Sequence, residues 1–268
     1  MKGLITAYIG IHALLFGDKP LVIVSVPPYV EFVTAIAGDH VDVETALPPS
    51  FDPHSGETTP QKMAAIGRAS VWIGVGEPFE QRLIEAAKRH NPALRVVNLS
   101  QGTDLISAGC HHGPDRHIWT SLSLAEGQAR RIAEALELFG PTQLDAYVKR
   151  LYIANKEIAA LLAPVKGTAV VVAHPSLAYF CRDYDLKELS VECEGKELGP
   201  KELTKLFTTI RHQERLCFLT QPQFSRKGVD LLAKQAGCNP RTVDPLRPDY
   251  IESMRDIARA IVEGQCQP

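Results

Sequence analysis

The run Thr168-Ala-Val-Val-Val-Ala173 constrains the fold most. Its apolar and β-branched residues, unbroken by charge, suit a strand buried on both faces. The run stops at His174, and Pro175 opens a helical pattern that reaches Asp183. A buried strand feeding a helix is half of a parallel βαβ unit. His174 therefore stands at the carboxyl end of a central strand, where open α/β sheets place their ligand crevices.

The same alternation runs along the chain. Strand patterns at residues 21–26, 41–46, 71–75 and 94–97 alternate with helical patterns at 30–37, 60–69 and 78–90. Two longer helical patterns follow, at 122–139 and from 141 to about 162, split by Gly140-Pro141. Alternation then resumes, with strands at 168–173, 186–191, 216–220 and 241–243 and a closing helix at 249–263. The expected architecture is α/β: two Rossmann-like lobes with mainly parallel sheets, residues 18–140 and 164–268, joined by a long rigid linker helix at 141–163.

Residues 1–17 differ from the rest. Met1-Lys2 carries a positive charge, and residues 3–17 are almost wholly apolar until Asp18. That pattern reads as a signal peptide directing export to a periplasm, the alternative being an N-terminal core helix. No cysteine follows the apolar run, so no lipoprotein processing site is expected. The formal charge of −2, without a basic block, argues against nucleic acid as a partner. No stretch has the roughly 18 unbroken apolar residues of a membrane span, so the mature protein is not expected to insert in a membrane. The six cysteines fit an oxidising compartment, and none forms a Cys-x-x-Cys pair.

Four residues carry candidate chemistry: His54, His117, His174 and Asp244. Each lies in or beside a loop leaving a strand, or at the start of a helix. Each alone has an ordinary reading: His54 as a solvated loop residue, His117 at a helix start over Trp119, His174 as a satisfied strand-end residue, Asp244-Pro245 as a turn. Together, with two from each half, they form a divalent-metal set in the cleft between the lobes. Three neutral imidazoles and one carboxylate favour Zn(2+), whereas Mn(2+) and Fe(2+) sites usually carry more oxygen ligands. Gly74-Val75-Gly76 follows a strand but lacks the third glycine of a dinucleotide loop, and no G-x-S-x-G, GK[ST] or H-E-x-x-H is present.

Four short motifs add a family resemblance. Asp52-Pro53-His54-Ser-Gly-Glu57-Thr-Thr59-Pro60, Asp115-x-His117-x-Trp119-x-Ser121, His174-Pro175-x-x-x-Tyr179-Phe180 and Thr242-Val243-Asp244-Pro245-Leu246 stand in one order. They resemble the motifs of metal-specific solute-binding proteins of ABC transporters, in the zinc-type (ZnuA-like) branch. The resemblance implies a monomeric periplasmic protein, not an enzyme, that holds metal between two lobes through His54, His117, His174 and Asp244. It would deliver the ion to an inner-membrane ABC permease. It also implies a disulfide between Cys217 and Cys266. Cys181 and Cys193 flank a strand pattern and are a second candidate pair, read from their position and not from the resemblance. Three departures stand out: Arg116 before the second histidine, Gly56 where an aromatic is common, and only His111-His112 in place of a His-rich loop. A manganese or iron carrier on the same scaffold is the nearest alternative. A zinc hydrolase is a more distant one, with Glu57 the sole nearby carboxylate for a general base.

Overall fold

The computed structural model describes residues 19–47, 58–107, 113–193 and 196–267. Residues 1–17, read from the sequence as a signal peptide, and the residues His54, Gly56, Glu57, Cys110, His111 and His112 lie outside the described residues.

The first half builds one parallel sheet from β1 (Leu21–Val24), β2 (Asp42–Thr45), β3 (Val71–Gly74) and β4 (Arg95–Asn98). The second half builds another from β5 (Ala169–Val172), β6 (Lys187–Ser190), β9 (Leu216–Thr220) and β10 (Arg241–Thr242). A short antiparallel pair, β7 (Glu192–Cys193) and β8 (Lys196–Glu197), follows β6. Strand order is β2-β1-β3-β4 in one sheet and β10-β9-β5-β6 in the other. Each sheet thus places its first strand beside its third and sends its second strand the other way. That reversal opens a crevice at the carboxyl ends of β1 and β3, and of β5 and β9. Residues decide which strands are central: β3, β5 and β9 are buried throughout, while Arg95 and Lys187 mark edge strands.

The described helices are α1 (Tyr29–Ala37), α2 (Pro60–Arg68), α3 (Pro78–His90), α4 (Leu122–Leu136), α5 (Leu144–Leu162), α6 (Ala178–Asp183), α7 (Pro200–Arg211), α8 (Lys227–Gln235) and α9 (Tyr250–Glu263). Local chemistry sets their starts. Thr59 Oγ1 accepts from Lys62 N ahead of Pro60, and Ser121 Oγ accepts from Leu124 N. With 19 residues, α5 is about 28 Å long. Its buried stripe of Tyr147, Leu151, Ala154, Ile158 and Leu162 packs against α1 and α4 from the first half and α9 from the second. Phe32 of α1 sits at that junction, with ring centroids 5.2 Å from Tyr147 and 4.8 Å from Tyr250. Each such aromatic pair adds about 0.5–1.5 kcal/mol beyond the area buried. Among the described residues no helix is long and apolar enough to cross a membrane.

Two expectations need correction. The disulfide joins Cys238 to Cys266, while Cys217 remains a free buried thiol and Cys181 is also unbridged. Strand geometry gives the reason. Leu216 pairs through its backbone with Cys266, so Cys266 meets the face of β9 that carries Leu216 and Phe218. Cys217 alternates to the opposite face and packs in the other core, with Leu219 and Ala258. In addition, α6 starts at Ala178, not at Pro175. The His174 carbonyl, which a helix starting at Pro175 would offer to Ala178 N, accepts from Gln221 Nε2 (3.1 Å), and Leu177 N donates to Glu188 Oε1 (2.6 Å).

Candidate metal centre

His174 follows β5 at the crevice of the second sheet. Gln221, the residue directly after β9, fixes its backbone from the neighbouring strand. The Gln221 carbonyl oxygen accepts from His174 N (2.8 Å), and its amide donates to His174 O (3.1 Å) and Ser176 Oγ (2.8 Å). Gln221 is buried, so a fully bonded amide is what the site requires. The ring is held too. His174 Nδ1 lies 3.1 Å from Glu192 Oε1, and the Phe224 ring stacks on it at 4.2 Å with planes 7° apart.

His117 arrives from the first half. It precedes the single 3-10 turn Ile118–Thr120 and is not yet part of α4. Asp115 shapes this approach, its Oδ1 accepting from His117 N (2.8 Å) and lying 2.7 Å from His117 Nδ1. A carboxylate only accepts, so the proton of each neutral ring sits on Nδ1 and the lone pair on Nε2. Trp119 packs edge-on against His117 at 5.1 Å and donates its indole N–H to Pro245 O (3.1 Å). Ser121 Oγ reaches Asp183 Oδ2 at 2.5 Å. These bonds fasten the His117 segment to the second half of the chain.

The two imidazoles meet, with centroids 5.3 Å apart and planes at 72°. Together with Trp119, Ser176, Phe224 and Leu246 they line a cavity of about 10 Å³, room for one water-sized occupant. Both histidines are buried. Burial opposes protonation of His117, but the Asp115 hydrogen bond and charge, helped by Glu77 and Glu188, raise its pKa above the ordinary value. Glu188 is pushed up to about 7, chiefly by burial and partly by Asp115, against the lowering pull of Leu177 N and His117.

Asp244 does not line this cavity. Its Oδ1 accepts from Gln223 Nε2 (2.9 Å) and Leu246 N (2.9 Å), and it borders a separate cavity of about 490 Å³ with Arg247 and Arg259. Among the described residues, no three His, Cys, Asp or Glu side chains group closely enough to hold an ion. Arg116 is turned onto the carboxyl end of the first sheet, donating to Val75 O (3.2 Å) and Ser100 Oγ (3.3 Å). The glycines of Gly74-Val75-Gly76 serve Glu80 there. Its carboxylate accepts from Val75 N and Gly76 N, Gly76 has φ +82, and a Cβ on Gly74 would lie 2.1 Å from Glu80 Oε2.

Sequence reasoning named Asp115 in the second motif without a role for it, and missed Glu188, Glu192, Gln221 and Phe224 as parts of this site. A polar residue directly after a wholly buried strand, as Gln221 is after Thr220, was the available signal.

The sequence model of the family described as "Zinc-uptake complex component A periplasmic" (ZnuA) matches residues 22–264. A "Putative metal-binding protein" of Chlamydia muridarum is 28% identical over 254 residues, covering 90% of each chain. The "High-affinity zinc uptake system protein ZnuA" of Bacillus subtilis is 26% identical over 253 residues, 86% of this chain and 79% of that one. A crystal structure of ZnuA superposes with a TM-score of 0.83 at 30% identity, over 92% of this chain and 99% of that one. The periplasmic zinc-binding protein TroA of Treponema pallidum has the same fold, with a TM-score of 0.78 at 17% identity. The family match runs through both sheets and both histidine-bearing segments, and the chain belongs to the ZnuA family of periplasmic zinc-uptake components.

Proposed function

We propose that this protein is the solute-binding component of an ABC uptake system, capturing Zn(2+) in the periplasm and delivering it to an inner-membrane permease. The observation that carries this reading is the pair of buried imidazoles facing one small cavity, each with Nδ1 committed to a carboxylate. That arrangement gives the pair two Nε2 lone pairs as ligands, and the carboxylates raise their basicity. In the proposal His54 and Asp244 complete the set, and two lobes joined by the helix at 141–163 frame it. Asp244 would exchange its bond to Gln223 for the ion. Nitrogen donors favour zinc over manganese or iron(II).

Titration calorimetry at about pH 7.5, above the ordinary histidine pKa, tests this reading. Zn(2+) should bind one to one, His174→Ala should abolish most of the affinity, and His112→Ala should leave it unchanged. Competition with Mn(2+) and Fe(2+) should leave zinc bound. Tighter binding of manganese would assign the protein to that cargo instead.

A further inference from the structure

We propose that Glu192 and Phe224 are positioning residues for His174: Glu192 holds its proton on Nδ1, and Phe224 fixes its ring plane, so that Nε2 is the donor turned to the cavity. This rests on the reading of His174 as a ligand. Two separate pieces of chain, the turn at 221–224 and the start of β7, converge on that one residue. Gln221, after β9, bonds both its backbone N–H and its carbonyl. Phe224, three residues later in the same turn, lies flat on the ring. Glu192, from the first residue of β7, meets the Nδ1 edge.

Glu192 is itself held in place. Ser190 Oγ donates to Glu192 O (2.8 Å) and accepts from Glu192 N (3.1 Å), folding the start of the β7–β8 hairpin towards His174. The Glu192 side chain is only 12% exposed, so its carboxylate has little water to compete with the ring. A histidine free to rotate about χ2, or to move its proton to Nε2, would lose an aligned donor pair with His117. Stacking removes the first freedom and the carboxylate the second.

The test reads the tautomer on metal-free protein and the affinity on the same variants. In ¹⁵N-histidine-labelled wild type at about pH 8, above the ordinary histidine value, the His174 resonances should show the proton on Nδ1. Glu192→Ala should give a mixture of tautomers and weaken Zn(2+) binding about 10–100-fold. Glu192→Gln keeps an accepting oxygen without the charge, so the tautomer should persist while affinity falls only a few-fold. It carries the test if the alanine variant loses its fold. Phe224→Leu should also lower affinity a few-fold while keeping the Nδ1 tautomer. Wild-type tautomer and affinity in the folded Glu192 variants would overturn the assignment. If wild-type protein binds no zinc, the transport reading fails, whereas the tautomer signal still decides the role of Glu192.

Discussion

Tyr179 donates its hydroxyl hydrogen to the carbonyl of Asp115 at 2.6 Å and accepts from Ile106 N at 3.1 Å. One buried phenol on α6 thus anchors the segment that delivers His117 from the first half of the chain. With Trp119 bonded to Pro245 O and Ser121 to Asp183, the His117 and His174 rings are held in one framework.

Removing that anchor should be costly. Tyr179→Phe leaves the Asp115 carbonyl and the Ile106 N–H without their buried partner, which costs about 1–3 kcal/mol. Urea unfolding of the metal-free protein should show this loss, and zinc affinity should fall several-fold. Unchanged stability would show that these bonds do not hold the segment.

Zinc binding should weaken on acidification from a higher pH than an ordinary histidine predicts. His117 must lose its proton to offer Nε2, and its pKa is raised despite burial because Asp115, Glu77 and Glu188 favour the charged ring. Affinity measured against pH should therefore begin to fall above about 6.5, the free-histidine value. Asp115→Asn should move that onset to lower pH. An unmoved onset would remove Asp115 from this role.

Glu188 gives stability a pH dependence of its own. Its pKa is raised from 4.5 to about 7, first by burial. The protonated form is favoured in the fold, so the contribution is fully present below about 4.5 and is lost as pH rises through about 7. The urea midpoint of metal-free wild type should drop between about pH 5 and pH 8 relative to Glu188→Gln, by about 2–3 kcal/mol in stability. An identical drop in both proteins would contradict this.

The fold was largely legible in the sequence because its period is simple. Residues 216–220 and 78–90 were assigned without error, since a charge-free apolar run and a proline-led amphipathic pattern leave little ambiguity. Pro175 misled because the carbonyl that a helix start there would use, that of His174, is engaged by Gln221, 47 positions further along the chain. The disulfide misled for a related reason. Pairing depends on which face of β9 each thiol meets, and that alternation follows from the Leu216–Cys266 bridge, a long-range contact. His117 and His174 were readable as ring-bearing residues at element ends. Asp115 stood in the same motif as His117, two residues before it, with no role read for it, and Glu192 gains meaning only from tertiary placement.

Peptide mapping without reductant should recover Cys238 joined to Cys266, with Cys217 alkylated only after unfolding. Replacing both bridged cysteines by serine should cost about 3 kcal/mol, as expected for a closed loop of 28 residues. Recovery of a Cys217–Cys266 peptide would overturn the face argument.

The most direct measurement is anomalous diffraction at the zinc edge from crystals of zinc-loaded protein. The account predicts one strong peak about 2–2.3 Å from Nε2 of both His117 and His174. A peak elsewhere, or one touching only one of the two rings, would contradict it.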